Sequence, residues 1–460
     1  MKSLNFARYA FISVAVGLFA TSSDAAWIYT ETDTVVNGVS KGSITDGVWT
    51  FYAERAKGAT DELTVDASKG MSIDPAQPAK IDFSEVAGGY KVVKFVGVKN
   101  TQSALVLYTT EFIAPHCTNL SGEGIFYRGT ENNKPIYNTT LTKIQLREDV
   151  AVTLGSDRMF CNCTCLTSFT PKKIAGTFLR TDMFLGCSAL EGEFEFSECT
   201  EFRGSAFNGC SKIGGIKAEN AVSIGQSSFA GCSSLSNIVL SSAVATVGSS
   251  AFSGCSKITT EFVQGILNKG LTQLGNLSSP NSCFKNCSGL TGTLVWNCPN
   301  LTVIPKECFS GCSSLERVEI KSYVSEIQTS AFFNLKGGAE IYLYKMPVET
   351  YVAASIASAE APFPRVYISG DMEVWLEKMY GDTKNHLIRK SEFGDTSWVS
   401  KHRDDVTWGK NMGVKVKSDT TMYEDGKVKD RNVVAFIMGN TNNGCWILKK
   451  PETGFKVIVR

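Results

Sequence analysis

The chain has 460 residues, enough for two or three domains or one long solenoid, and at 43% hydrophobic residues it is not a disordered chain. Lys plus Arg number 46 against 45 Asp plus Glu, a formal net charge of +1, and no long basic run occurs, so nucleic acid is excluded as a main partner. Pro is scarce at 12 and Gly plentiful at 41, a balance that suits many tight turns.

Residues 1–25 are expected to be a signal peptide. Lys2 and Arg8 form a positive n-region, Tyr9 to Ala20 is apolar apart from Ser13, and Ser22-Ser23-Asp24-Ala25-Ala26 supplies small residues for cleavage. Ser23 and Ala25 fit the −3 and −1 positions, which puts the mature start at Ala26 or Trp27. The apolar run is too short for a membrane span, and no later stretch is long enough for one. The expected location is secreted or cell-surface.

Residues 26–78 are expected to form a β-rich N-terminal cap. Val48-Trp49-Thr50-Phe51-Tyr52 and Leu63-Thr64-Val65 have strand character between Gly- and Asp-containing turns. A solenoid needs a differently built end to protect its first turn.

Beyond the cap one phrase recurs: Phe, any residue, Gly or Asn, Cys, Ser or Thr, any residue, Leu or Ile. It occurs at Phe160–Cys163–Leu166, Phe184–Cys187–Leu190, Phe207–Cys210–Ile213, Phe229–Cys232–Leu235, Phe252–Cys255–Ile258, Phe284–Cys287–Leu290 and Phe309–Cys312–Leu315. A worn copy follows at Phe332–Leu335, with Leu335 in place of Cys. Successive Phe residues are 24, 23, 22, 23, 32, 25 and 23 apart, so an insertion of about nine residues lies between Ser256 and Pro280. After each Cys comes an alternating segment, as in Leu235, Ile238 and Leu240 or Leu315, Val318 and Ile320, which predicts one short strand per turn. A second apolar group closes the coil, for example Val244, Val247, Ala251 and Phe252. A period near 23 with one strand per turn is leucine-rich-repeat geometry, and each turn buries its apolar face only by stacking on its neighbours.

The phrase F-x-G-C-S-x-L with its return to Ala-Phe resembles the BspA-like leucine-rich repeat of bacterial surface and secreted proteins and of some parasitic protists. The resemblance is clearest over 159–335 and implies a β-rich solenoid over 79–365. Upstream, Cys117-Thr118-Asn119-Leu120 reads as the tail of a weaker copy, with an eroded turn near Tyr137–Leu141. Downstream, Ile341–Pro347 and Val366–Trp375 suit a closing strand and short helix. The resemblance implies adhesion or partner binding and brings no catalytic residues or cofactor.

Cysteines number 15. Cys163, Cys187, Cys210, Cys232, Cys255, Cys287 and Cys312 share one register and are expected to stack as an inert structural column, because coils about 4.8 Å apart hold parallel side chains too far apart for disulfide geometry. Among the remainder, a local disulfide at Cys161 or Cys165 and a bridge between Cys283 and Cys308 stay open. Cys161-Asn162-Cys163-Thr164-Cys165 lacks a second ligand pair, since His occurs only at 116, 386 and 402, so no metal is expected.

Residues 366–460 are expected to hold a helix at Asp371–Tyr380 and then a small β-rich domain. Its strand candidates are Val414–Val416, Val433–Ile437, Cys445–Leu448 and Phe455–Val459, with a hairpin turn at Asp425-Gly426. Trp375, Trp398, Trp408 and Trp446 suit core packing, with carbohydrate stacking as an alternative.

Catalysis is not expected: no nucleophile elbow, zinc-protease motif or phosphate loop is present. Glu191, Glu193, Glu195 and Glu198 are neighbours on an open surface, not carboxylates facing across a cleft. The candidate binding face consists of the outward strand residues Glu191, Glu193, Glu195, Lys217, Ser236, Asn237, Val239, Thr291, Thr293, Val295, Glu316, Arg317 and Glu319, which vary while the inward ones repeat. The expected partner is an extracellular protein or glycan, and a self-associating surface coat is the structural alternative.

Overall fold

The computed structural model describes residues 26–344 apart from short stretches at 37–38, 57, 60, 74–77, 99–102, 123, 268–269 and 276–280, and beyond them the strands Arg365–Ile368, Tyr423–Glu424, Lys427–Val428, Val433–Ile437 and Gly444–Lys449. The expected leader, the helix at 371–380, the strands at 414–416 and 455–459, and Trp375, Trp398 and Trp408 lie outside the described residues.

The chain opens with an antiparallel meander of Ile28–Val36, Val39–Thr45, Trp49–Arg55 and Glu62–Ile73. Trp49, Phe51 and Ala53 alternate inward and are fully buried, and the Asp46 carboxylate accepts from the amides of Val48 and Trp49 to close the tight turn. The last meander strand pairs in parallel with Lys91–Val96, and there the architecture changes. From that point each coil gives a short strand to one row and a second strand to another. Lys91–Val96, Asn119–Ser121, Val152–Leu154 and Ile174–Ala175 continue the first row. Ala79–Asp82, Thr109–Ile113, Lys143–Gln145 and Ser168–Thr170 begin the second. Downstream the second row holds Gly192–Glu195, Ile213–Ala218 and Asn237–Leu240, then Gly292–Trp296, Leu315–Ile320, Glu340–Leu343, Arg365–Ile368 and Gly444–Lys449, all parallel. Val433–Ile437 turns the end antiparallel, so the described strands begin and finish with antiparallel pairing.

The repeat phenylalanines form one continuous stack from Phe126 to Phe332. Successive ring centroids lie 5.1 to 5.8 Å apart with interplanar angles of 2 to 15°. Beside the rings the seven phrase cysteines occupy equivalent places, all buried. Each thiol donates to the carbonyl of the Phe one coil earlier: Cys187 to Phe160 at 3.0 Å, Cys210 to Phe184 at 3.0 Å, Cys232 to Phe207 at 3.1 Å and Cys312 to Phe284 at 3.2 Å, with Cys163, Cys255 and Cys287 alike. The third phrase position is Gly or Asn because the backbone is left-handed there, with φ of 74° at Gly186, 61° at Asn162 and 58° at Asn286.

One expectation is corrected. Cys117-Thr118-Asn119-Leu120 is not a phrase tail: Leu120 pairs with Leu154 in the first row, and the Cys117 thiol donates to the Asn119 carbonyl as that of Cys199 does to Glu201. The true upstream turn starts at Phe126 and is split by a hairpin, Thr130–Glu131 with Lys134–Pro135, turning at Asn132 and Asn133. Asn138 then fills the Cys place, and its amide donates to the carbonyls of Phe126 at 2.9 Å and Val106 at 3.3 Å. Of the disulfides left open by the sequence, none is formed: Cys161, Cys165, Cys283 and Cys308 are free, and the Cys283 thiol donates to the Gly248 carbonyl at 3.4 Å.

Burial raises the phrase thiols well above the ordinary 9.0, those of Cys255 and Cys312 to about 12. They stay neutral in the fold while unfolded thiols ionise near 9.0, so the unfolded chain binds fewer protons and stability falls as pH rises from there. Urea midpoints measured at about pH 8 and about pH 10 are expected to drop steeply, and less steeply for Cys210→Ala. In the same assay Phe207→Ala is expected to cost about 3–5 kcal/mol.

Candidate functional site

The residues of the expected binding face lie on the strands of the second row or, for Glu191, Ser236 and Thr291, one residue before them, in two blocks. In the upstream block the registers run Glu193–Gly215–Asn237 and Glu195–Lys217–Val239. Glu191, Glu193, Lys217, Ser236 and Asn237 are exposed, Val239 is 40% exposed, and Glu195 is half-buried. The Asn237 amide donates to Glu193 Oε1 at 3.1 Å, over the top of Gly215. A Cβ at position 215 would stand 2.9 Å from Glu193 Cγ and 3.0 Å from the Asn237 carbonyl oxygen, so glycine is what permits the span. Glu191 pairs with Lys212 at 3.0 Å and Lys217 with Glu219 at 3.7 Å.

In the downstream block the registers run Thr293–Arg317–Glu340 and Val295–Glu319–Tyr342. Thr291, Thr293 and Glu316 are exposed, whereas Val295, Arg317 and Glu319 are half-buried. Arg317 donates through Nε and Nη2 to Glu340 Oε2, at 3.0 and 2.5 Å, and lies over the Tyr342 ring at 5.0 Å. Lys336 reaches Glu316 at 2.6 Å, and Lys321 reaches Glu319 at 3.0 Å. The Lys336 ammonium holds the Glu316 carboxyl below its ordinary range, and the Glu340 carboxylate raises Arg317. Between these side chains and Gly338 the surface dips into a pocket of about 430 Å³. Lys336, Gly338 and Glu340 belong to it although sequence patterning did not single them out.

The two blocks are not one face, because the helix Thr260–Ile266 stands where the intervening coil would place its strand. This helix is the content of the expected insertion. Thr259 caps it by accepting from the Phe262 amide at 3.2 Å, Glu261 sits in the first turn, and Val263 and Ile266 are buried. Thr259, followed by Phe262, Val263, Ile266 and Leu267 at helical spacing, was the available signal. Its side chains replace a strand's backbone. Gln264 donates to the Val295 carbonyl and accepts from the Val295 amide, both at 2.7 Å. The Thr260 hydroxyl donates to the Thr291 carbonyl at 2.6 Å and accepts from its amide at 2.8 Å. On the opposite flank Ile238 and Leu240 are only half-buried, while their counterparts Val318 and Ile320 are fully buried.

A family model described as BspA type leucine rich repeat region matches in 6 copies, over residues 132–259 and 215–339. Residues 132–339 belong to the BspA-type leucine-rich repeat family. Both blocks of the outward face fall within this BspA-type array, apart from the edge at Glu340 and Tyr342. No curated protein matches the sequence. Among solved structures, a leucine rich cell surface protein from Faecalibacterium prausnitzii A2-165 is 17% identical, with 74% of this chain and 98% of that chain covered and a TM-score of 0.35. A leucine-rich repeat protein from Bacteroides ovatus ATCC 8483 is 16% identical, with 78% and 100% covered and a TM-score of 0.30.

Gln264→Ala removes both bonds to Val295 and leaves that edge exposed. The expected cost is about 1–3 kcal/mol, with faster hydrogen exchange at the Val295 amide and unchanged exchange at Ile216. Equal protection at Val295 in both proteins would show that the side chain does not close the edge.

Proposed function

We propose that the protein is a non-catalytic scaffold at the cell surface or in the extracellular medium, which binds a partner protein through the outward side of the second strand row. The observation that supports this reading most directly is the contrast along each coil. Inward residues such as Phe194, Ile216, Leu294 and Val318 are buried and uniformly apolar, whereas the outward ones change chemistry from coil to coil. Rigid presentation of varied side chains lowers the ordering cost of association. The positive charges and apolar run within residues 1–25, read as a leader, support an exported location. Among the described residues no helix is long and apolar enough to cross a membrane.

The acidic strand is the region where charge can be changed with least effect on the fold, since Glu191 and Glu193 are exposed and point away from the core. The variant Glu191→Lys/Glu193→Lys/Glu195→Lys is expected to keep the melting temperature within a few degrees and to weaken a basic partner by about tenfold or more. Biolayer interferometry of the full chain against immobilised extracellular-matrix proteins and mucin measures this. Identical binding by both proteins would remove the acidic strand from the interface.

A further inference from the structure

We propose that the pocket formed by Thr293, Glu316, Arg317, Lys336, Gly338 and Glu340 is a binding subsite for a neutral saccharide unit. Ligand pockets of about 300–1,000 Å³ are ordinarily lined mostly by apolar side chains. This one falls in the size range at about 430 Å³, yet its walls are two carboxylates, a guanidinium, an ammonium, a hydroxyl, glycine backbone and a single alanine. An apolar ligand would find little to bury against.

The charges exclude ionic ligands as well. Two cations and two anions face the pocket, and they are already paired, Lys336 with Glu316 at 2.6 Å and Arg317 with Glu340 at 2.5 Å. A phosphate, a sulfate or an ammonium group would meet one opposite and one like charge in each pair, so its attraction is offset by repulsion. A polyhydroxyl ligand is indifferent to that balance and uses the hydrogen-bonding positions the pairs leave open. Arg317 engages Glu340 through Nε and Nη2, which leaves Nη1 for a ligand oxygen. Among the described residues Glu340 Oε1 and Glu316 Oε2 accept no bond, and the Thr293 hydroxyl is exposed. Planar carboxylate and guanidinium groups match the paired hydroxyls of a sugar ring, each acting with fixed donor or acceptor character.

The geometry is also set in advance. The Tyr342 ring supports the guanidinium from one side at 5.0 Å, and its hydroxyl donates to Glu340 Oε2 at 3.3 Å. Thr293, Arg317 and Glu340 stand on three successive strands in register, so the stacked coils fix their separation. Gly338, at φ 73°, turns the chain without placing a side chain in the opening. The pocket lies wholly in the downstream block, beyond the helix, and is independent of the acidic strand.

Saturation-transfer NMR and calorimetry on the full chain test this with lactose, chitobiose, mannobiose and maltotriose as neutral probes, and sialyllactose and a heparin disaccharide as charged ones. At least one neutral probe is expected to bind saturably, and Arg317→Ala is expected to weaken it by about tenfold or more. Thr293→Val, which keeps the strand and its shape, is expected to weaken the same probe less, and Glu193→Lys to leave it unchanged. Absence of binding by every neutral probe overturns the proposal, as does tighter binding of the charged probes or equal affinity in the folded Thr293→Val and Arg317→Ala variants. None of these results bears on partner binding by the acidic strand, which the interferometry reads separately.

Discussion

The carbonyl of each repeat phenylalanine is the point on which the coils depend. Within its own coil it accepts the amide of the phrase cysteine, as Phe184 does from Cys187 at 3.1 Å, and from the next coil it accepts a thiol, as Phe184 does from Cys210 at 3.0 Å. The Phe amide points the other way and donates to the residue before the next Phe, as Phe184 does to Ala206 at 2.8 Å. Ring stacking, amide and thiol therefore tie neighbouring coils at one corner in both directions. A buried carbonyl left without its second partner would cost stability, and a thiol is a small, largely apolar side chain that donates to it without filling the space the rings occupy. The upstream end of the array shows the same demand, and the downstream end is where it lapses. Upstream, where no cysteine is present, the Asn138 amide takes the thiol's role; downstream, Leu335 supplies no donor and the regular bonding to the preceding Phe carbonyl ends with Cys312.

Because that corner sets the pitch, the rest of a coil is free to change. Phe252 and Phe284 are separated by the longest stretch of sequence between repeats, yet their rings stack at 5.7 Å and 2°, as closely parallel as any pair. The extra residues form a helix in the second row instead of disturbing the stack. A parallel row interrupted in this way has two edges to satisfy. One is closed by Thr260 and Gln264, whose side chains reproduce the donor and acceptor of an absent strand. The interruption divides the outward face into an acidic block and an ion-paired block, and that division determines which residues can meet one ligand.

Legibility in the sequence followed this same split between corner and periphery. The phrase residues obey one constraint in every coil, so Phe, Gly or Asn, Cys and Leu recur and expose the solenoid directly. Phe126 escaped notice because the Thr130–Pro135 hairpin separates it from Asn138, and Asn138 performs the thiol's hydrogen bonding with a different chemical group. Cys117 misled for the opposite reason: the opposite corner also accepts a small buried cysteine, as Cys199 and Cys298 show, so Cys-x-x-Leu spacing is not unique to the phrase. The pocket had no local signature at all. Arg317 and Glu340 become neighbours only through coil register, and Lys336 joins them from a turn whose composition is unremarkable in isolation.

An outward side chain in such an array has few neighbours, chiefly the residues in register one coil away on each side. Changing it therefore perturbs a small set of contacts and leaves the corner bonding intact, which is why Glu193 can reach Asn237 across a glycine while the inward Ile216 of the same strand stays fully buried. Exposed polar contacts of this kind, ion pairs included, contribute little to folding. Their value lies in orientation, since a side chain held by its neighbour presents its remaining donors and acceptors at a fixed angle. The Arg317–Glu340–Tyr342 cluster is the clearest instance: two residues of the next coil's strand restrain one guanidinium, and none of the three side chains belongs to the corner bonding that ties the coils together.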